Sequence, residues 1–331
     1  MLLLISVTSY AQDIHFSQYN EAPQLLNPGA TGVYNGYVRA IINYKNQWTA
    51  MGNAFNTSAA SIDFPLGKKE NKAHIGAGIN FFSDKAGDAK IGLTEGALCL
   101  SGILPINRLN TLSMGISIGA AQHKANYGAL QWGNQYDGLG FNTQITSNEP
   151  IPATSFTYVD LSAGLYYEYY SGKNTMELNE QKRLAIGFAY YHMNRPEQTD
   201  YTVTEKLYGK FVGCINGHFD VNGSKFSVLP TFACFVQGSN NEYNLGCLVR
   251  YRIKNPTKVT GFFTESGISL GASYRFRDAF IPQVNYEIGN FNVGVSYDIT
   301  TSSYSAASRH NGGAEIHLKY IILRGAKWTE R

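Results

Sequence analysis

The chain has 331 residues and a formal net charge of +3, and its Lys and Arg residues are scattered along its length. Nucleic-acid binding needs a dense basic stripe, so this composition excludes nucleic acid as a partner. Charged residues make up only 15% of the chain, against roughly 25% in typical soluble domains. Aromatic residues make up 13%, and there are 34 glycines. Such a chain is typical of alternating strands that face lipid.

The N-terminus begins with a short apolar run that ends in Ser9-Tyr10-Ala11. A small residue, any residue and a small residue form the pattern of a signal-peptidase site. We therefore predict a signal peptide over residues 1–11, with the start of a strand or a buried helix as the alternative. No other stretch reaches about 18 consecutive apolar residues, the length of a membrane helix. Any membrane crossing must use strands.

Period-two alternation recurs along the whole chain and predicts strands with one apolar face. In residues 111–120, Leu112, Met114, Ile116 and Ile118 alternate with serine and glycine. In residues 314–320, the polar face carries Glu315, His317 and Lys319, which we expect to be in contact with water. A soluble sandwich would show the same alternation with its apolar face inward. The signal peptide, strands of about ten residues and tyrosine pairs near strand ends favour a membrane barrel.

The sequence thus predicts an all-β fold, a single outer-membrane antiparallel β-barrel of about fourteen strands that occupies residues 36–321. The predicted strands are 36–48, 54–66, 73–83, 91–104, 110–122, 155–170, 183–194, 208–221, 225–238, 241–253, 266–276, 279–288, 290–300 and 311–321. An even number of strands places both termini on the periplasmic side. Residues 12–35 would then be a periplasmic segment or a plug in the lumen, and residues 322–331 a C-terminal tail.

The chain shows no constellation for catalysis. Its seven histidines lie on different predicted elements, and it has no GxSxG or HExxH motif. We therefore predict no enzymatic activity, no cofactor and no metal. The four cysteines lie in different predicted strands without metal-ligand spacing, which predicts small apolar packing residues. A disulfide between neighbouring strands is the alternative. These cysteines are Cys99, Cys214, Cys234 and Cys247.

Two charged motifs stand at predicted external strand ends. Asp84 and Asp88 flank Gly87, but the spacing lacks the alternating oxygen ligands of a calcium loop. A salt-bridged turn or a partner contact therefore suits this motif better than a metal. In the second motif, Pro196 ends a strand and leaves Arg195 free to bind a carboxylate. The alternative is a strand end tied to the barrel wall.

Ordered motifs along nearly the whole chain resemble the PorP/SprF-like outer-membrane proteins of the Bacteroidetes type IX secretion and gliding apparatus. The chain opens with HFSQY and LNP, continues with NYKNQW and DKAGD, and carries WGNQYD, which is similar to the FGDQFD of the family. The later matches are DLSAG, residues 187–196, YRFRDA, VSYDI and GGAEI. The Cys-Pro-Arg-Phe tail of the family is absent, because the chain ends KWTER.

The resemblance implies a barrel that assists the secretion or surface retention of adhesins with a type B C-terminal domain. It also implies contacts with periplasmic type IX secretion components and with the lipid bilayer. The candidate partner-binding residues at the external rim are Asp84, Lys85, Gly87, Asp88, Gln135, Asp137, His192, Arg195 and Pro196. The candidate periplasmic or plug motif comprises Phe16, Ser17, Gln18, Tyr19, Asn27 and Pro28. The alternative function is a passive outer-membrane channel or solute transporter.

Overall fold

The computed structural model of the chain describes residues 15–47, 55–69, 71–142, 144–148, 155–171, 181–200, 203–254, 266–302 and 311–322. The predicted signal peptide and all but the first residue of the predicted C-terminal tail lie outside the described residues. Sixteen strands are described. They are β1 Val38–Gln47, β2 Phe55–Leu66, β3 His74–Ala86, β4 Ile91–Pro105, β5 Asn110–Lys124, β6 Ser155–Tyr170, β7 Lys182–Tyr191, β8 Glu197–Asp200, β9 Val203–Lys206, β10 Lys210–Asp220, β11 Phe226–Gln237, β12 Asn240–Lys254, β13 Ser266–Arg275, β14 Ala279–Ile288, β15 Phe291–Thr300 and β16 Asn311–Ile322.

Fourteen of these strands form a closed antiparallel barrel, in which each strand pairs with its neighbours and β16 returns to β1. Tyr44 on β1, for example, lies opposite Ile316 on one side and Ser58 on the other. The predicted all-β barrel of about fourteen strands is confirmed. Closure satisfies the backbone groups of every strand, as a membrane-spanning sheet requires.

Strands β8 and β9 pair only with each other and form a hairpin outside the barrel. The sequence analysis missed this hairpin and placed residues 195–207 in a connection. Each of the two strands has only four residues. So short a run of polar residues gives no measurable period-two pattern, which is why alternation did not predict it.

The alternation of each barrel strand separates an outward face from an inward face. On β5, the outward side chains Leu112, Met114, Ile116 and Ile118 are exposed, whereas the serines and glycines between them point inward. Gly115 shows why a small residue is needed there, because a Cβ atom on it would lie 2.3 Å from the carbonyl oxygen of Pro28. The outward face is therefore the apolar, lipid-facing one.

The two ends of the barrel differ in their connections. We call the end that carries the start of β1 and the end of β16 the terminal rim, and the opposite end the distal rim. At the terminal rim, tight turns carry glycines with positive φ at Gly67, Gly223 and Gly289. The distal rim carries the long connection from β5 to β6, residues 125–154, and the β8–β9 hairpin. Short turns at the end of the termini are typical of the periplasmic side of a barrel.

Residues 15–37, here called the luminal segment, lie inside the barrel. The segment contains a 3-10 turn at Tyr19–Glu21, the short helix α1 at Pro23–Leu26 and a second 3-10 turn at Pro28–Ala30. Proline occupies the first position of α1 and of the second turn, where its missing N–H costs no hydrogen bond. No helix in the described part of the chain is long and apolar enough to cross a membrane.

The luminal segment changes the environment of the inward side chains on β16. His317 is fully buried, and its two ring nitrogens lie 2.8 Å from the side-chain oxygens of Gln18 and Asn292. Glu315 is also buried. The expectation that these two residues face water was wrong, because the segment covers them. Periodicity identified the inward face but carried no information on what lies against it.

The outward face can be tested by introducing one charge at two depths. Ile116 lies at the middle of β5, and Ile106 lies in the terminal turn before it; both side chains are 60% exposed. Ile116→Arg should lower the free energy of unfolding in lipid vesicles by about 2–4 kcal/mol, and Ile106→Arg by about 0–1 kcal/mol. Urea unfolding of the two variants measures the difference. Equal costs would contradict a lipid-facing wall.

Candidate functional site

The first charged motif lies at the turn between β3 and β4. Some of its residues build the turn, and others are exposed. Asp84 accepts a hydrogen bond from the Thr57 hydroxyl at 2.6 Å and is only partly exposed. Gly87 has a φ of 68°, which favours glycine and closes the turn. Lys85 and Asp88 are exposed. No group of three or more His, Cys, Asp or Glu residues in the described ranges could hold a metal ion.

The long connection at the distal rim is organised by two of the predicted site residues. The Gln135 side chain donates to the carbonyl of Ile145 at 2.9 Å and accepts from the Trp132 amide at 3.2 Å. The Asp137 carboxylate accepts from the amides of residues 139 and 140. These backbone hydrogen bonds hold the pKa of Asp137 below its usual value. Gln135 and Asp137 thus shape the loop.

The motif around Arg195 follows β7 and is tied to the wall beside it. His192 is buried, with Nδ1 2.8 Å from a carboxylate oxygen of Asp160. Asn194 donates to the carbonyl of Val159 at 2.6 Å and accepts from the amide of Leu161 at 3.1 Å. Between these anchors and the buried Pro196, the side chain of Arg195 is exposed. The strand end is therefore tied to the wall, and the side chain of Arg195 is exposed as well.

All three motifs lie at the distal rim, in connections between the consecutive wall strands β3 to β7 and β10. The amide of Asn126, at the start of the long connection, donates to the carbonyl of Ala89 in the β3–β4 turn at 2.7 Å. This bond joins two of the motifs. Of the nine candidate rim residues, Lys85, Asp88, Asp137 and Arg195 expose a charged side chain. The others build the turns that hold these four.

The first part of the luminal segment is anchored by carboxylates of the wall. Glu315 accepts from the backbone amides of Ser17 and Gln18 at 2.6 and 3.0 Å. The Ser17 hydroxyl donates to Asp298 at 2.7 Å. Carboxylates that accept backbone N–H groups form hydrogen bonds roughly twice as strong as neutral ones. The FSQY motif therefore holds the segment to β15 and β16.

The Asp298 carboxylate is neutralised by two cations from other strands. It lies 2.7 Å from an Arg275 guanidinium nitrogen and 3.6 Å from the Lys45 ammonium group, and all three side chains are at most 4% exposed. Lys45 also donates to the carbonyl of His15. A buried charge cluster is stable only when every charge is paired and hydrogen-bonded. Sequence reasoning did not find this cluster, because its members lie on β1, β13 and β15.

The middle of the luminal segment runs from β16 to strands β6 and β7. Glu21 accepts a hydrogen bond from the Lys319 ammonium group at 2.6 Å. Asn27 donates to the carbonyls of Leu165 and Phe188 at 2.8 and 3.2 Å, and its own side-chain oxygen accepts from the Gly29 amide at 2.7 Å. Asn27 therefore caps the second turn and binds two wall strands at once. Any other residue at this position would lose at least one of these bonds.

The last part of the luminal segment is held at the terminal rim by Asp63. Its carboxylate accepts two hydrogen bonds from Arg39, at 2.9 and 2.7 Å, and one from the Gly32 amide at 2.7 Å. Phe16 and Tyr19, further up the segment, pack into apolar clusters on the wall. The six residues of the predicted plug motif are all buried inside the barrel.

The luminal segment separates two cavities. The distal cavity has aromatic walls that include Phe16, Phe82, Tyr191 and Phe235. The second cavity lies towards the terminal rim and is lined by charged groups such as Arg39, Arg183 and Lys319. Leu26 of the segment contributes to the walls of both. The lumen is thus divided by the segment.

The closed fourteen-strand wall with its apolar outward face defines an outer-membrane β-barrel. The chain is similar to several solved barrels. The Ralstonia pickettii toluene transporter TbuX has 10% identity and a TM-score of 0.50, with 91% of this chain and 94% of TbuX covered. A Pseudomonas aeruginosa FadL homologue has 9% identity and a TM-score of 0.47, with 91% and 94% covered. Haemophilus ducreyi BamA lacking POTRA domains 1–3 has 9% identity and a TM-score of 0.43, with 87% and 70% covered.

The chain belongs to the family described as type IX secretion system membrane protein PorP/SprF, whose sequence profile matches residues 8–320. This match confirms the resemblance drawn from the ordered motifs. No curated protein matches the chain. Family and fold together place the protein in the outer membrane, as a membrane protein of type IX secretion.

The anchoring of the luminal segment can be tested at Asp63. Asp63→Asn removes the charge that holds Arg39 and the Gly32 amide, so hydrogen exchange of residues 15–37 should become about tenfold faster or more, since hydrogen bonds to charged groups contribute roughly 1.5–3 kcal/mol. Mass spectrometry of the exchanged peptides measures this rate. Glu287→Gln is the matched control, because it breaks an ion pair with Arg250 inside the barrel. Unchanged exchange in Asp63→Asn would contradict the proposed anchor.

Proposed function

We propose that this barrel assists the secretion and surface anchoring of adhesins that carry a type B C-terminal domain, by binding that domain at the distal rim. The proposal rests on membership of the type IX secretion family together with one structural observation. Charged side chains are presented at the distal rim on turns that are fixed by hydrogen bonds to one another and to the wall. Such a surface suits a protein partner outside the cell.

The hydrogen bonds that hold the distal turns in place support the binding of a protein partner. A partner that binds a mobile loop must first restrict its motion, whereas a pre-organised surface avoids that cost. Arg195 is held between two anchored neighbours, and Asp88 lies in a four-residue turn. Their opposite charges would fix the orientation of a partner and speed its encounter more than they would raise its affinity.

The division of the lumen supports a binding role over passive transport. A solute crossing from the distal cavity would have to displace the luminal segment and break the hydrogen bonds at Glu315, Asn27 and Asp63. A secreted polypeptide needs still more space. We infer that the cargo contacts the mouth of the barrel and does not pass through this lumen. The terminal rim is left for the periplasmic components of the secretion system.

The distal site is tested by recovery of cargo with the tagged barrel from detergent-solubilised outer membranes. The double variant Asp88→Ala/Arg195→Ala should recover at least fivefold less of a large adhesin with a type B C-terminal domain, because two exposed charged contacts of up to about 1 kcal/mol each are lost. Quantitative mass spectrometry of the bound proteins gives the ratio. The matched control is Arg108→Ala, which removes an exposed arginine at the terminal rim.

Equal recovery of the adhesin by the double variant and the control would contradict the distal site. Asp84→Ala separates structure from binding, because its carboxylate is already bonded to Thr57. This variant should distort the turn only slightly and should still recover most of the adhesin. A loss in Asp84→Ala that exceeds the loss in the double variant would show that the turn itself is the recognised feature.

A further inference from the structure

The exposed charges at the two rims differ in sign. Among the described residues of the terminal rim, every exposed charged side chain is basic. These are Lys69, Lys72, Arg108, Lys182, Lys225 and Lys254. The acidic side chains at the same strand ends, Glu168, Asp220 and Glu287, are paired with basic side chains of the barrel wall. The terminal rim therefore presents unbalanced positive charge.

The rest of the chain does not cancel this charge. By sequence, the terminal connections outside the described residues add two lysines and four glutamates, so a positive excess remains. At the distal rim, by contrast, exposed Asp88, Asp137, Glu197 and Glu205 are interspersed with lysine and arginine. The asymmetry is a property of the terminal rim and not of the whole surface.

Three of the basic residues lie together at the terminal rim, where β7 and β11 begin and β10 and β12 end. Lys182 lies opposite Phe219 in the β7–β10 pair. The carbonyl of Lys225 accepts a hydrogen bond from the Arg252 amide at 2.8 Å, which brings the β10–β11 turn beside the end of β12 and Lys254. These three lysines thus follow one another along the rim.

An apolar belt lies directly next to these lysines. The rings of Phe226 and Tyr251 face outward and pack with their centroids 5.1 Å apart. Phe219, Val221 and Ile253 are also exposed on this part of the wall. Aromatic side chains at strand ends mark the interface of a membrane barrel with the headgroup region. These lysines lie at strand ends next to that belt, where a lysine can extend its ammonium group to the lipid phosphates.

We propose that the terminal rim binds anionic phospholipids of the periplasmic leaflet through Lys182, Lys225 and Lys254. The acyl chains lie against the outward aromatic belt, and the ammonium groups contact the phosphates. Each lysine near an anionic bilayer surface strengthens binding by about fivefold. This surface is independent of the proposed cargo site at the opposite rim.

The test compares lipid retention by native mass spectrometry of the whole barrel released from detergent. The probes are phosphatidylglycerol and phosphatidylcholine with the same acyl chains. The triple variant Lys182→Gln/Lys225→Gln/Lys254→Gln should lower the preference for phosphatidylglycerol by about tenfold or more. The matched control at the distal rim, Lys90→Gln/Lys124→Gln/Arg277→Gln, should retain the preference of the wild type.

An unchanged preference in the terminal variant, or an equal loss in both variants, would overturn the proposal. If the terminal variant keeps its lipids but no longer co-purifies with periplasmic secretion components, the rim is a protein-binding surface and the proposal is wrong. Heat-dependent mobility on a gel checks that each variant is folded. Should the triple variant not fold, Lys225→Gln alone should still reduce the preference severalfold, and no reduction would overturn the proposal.

Discussion

The bonds between wall carboxylates and the backbone of the luminal segment are the interaction on which the rest of the structure depends. A barrel with an apolar outside must place its polar residues inside, and at fourteen strands those residues cannot all reach one another. The segment supplies the missing partners. Glu315 and Asp63 accept its amides, and Asp298 accepts the Ser17 hydroxyl. The segment thus fills the lumen and supplies hydrogen-bond donors to these three carboxylates at the same time.

Because the luminal segment fills the lumen, the two rims are the surfaces of the barrel that remain available to partners. The distal rim carries the long, internally bonded connection from β5 to β6 and exposed side chains of both charges, and the described residues of the terminal rim expose only basic charged side chains. In the proposed function, the distal rim binds secreted proteins outside the cell, and the terminal rim meets the periplasmic leaflet and the secretion machinery. The two proposals thus assign a different kind of partner to each rim of one wall.

Much of the fold followed from the sequence because a lipid-facing wall imposes a period of two on every strand. That period alone predicted that Met114 and Ile116 lie on the apolar, outward face. His317 did not, because its burial depends on Gln18, 299 positions earlier in the chain. The pairing of Arg39 with Asp63 was equally out of reach, whereas the tie of the strand end beside Arg195 to the wall was one of the two alternatives that the sequence left open. Local pattern specifies which face a residue occupies, whereas its partner across the lumen is set by closure of the barrel.

The central claim is that the luminal segment closes the barrel, and single-channel conductance in planar bilayers tests it most directly. The full-length barrel should show no stable open level, because ions would have to pass the hydrogen-bonded segment between the two cavities. Asp63→Asn should add brief openings to the same record. A steady conductance from the unaltered protein, of the size expected for an open fourteen-strand pore, would contradict the account and favour a transport function.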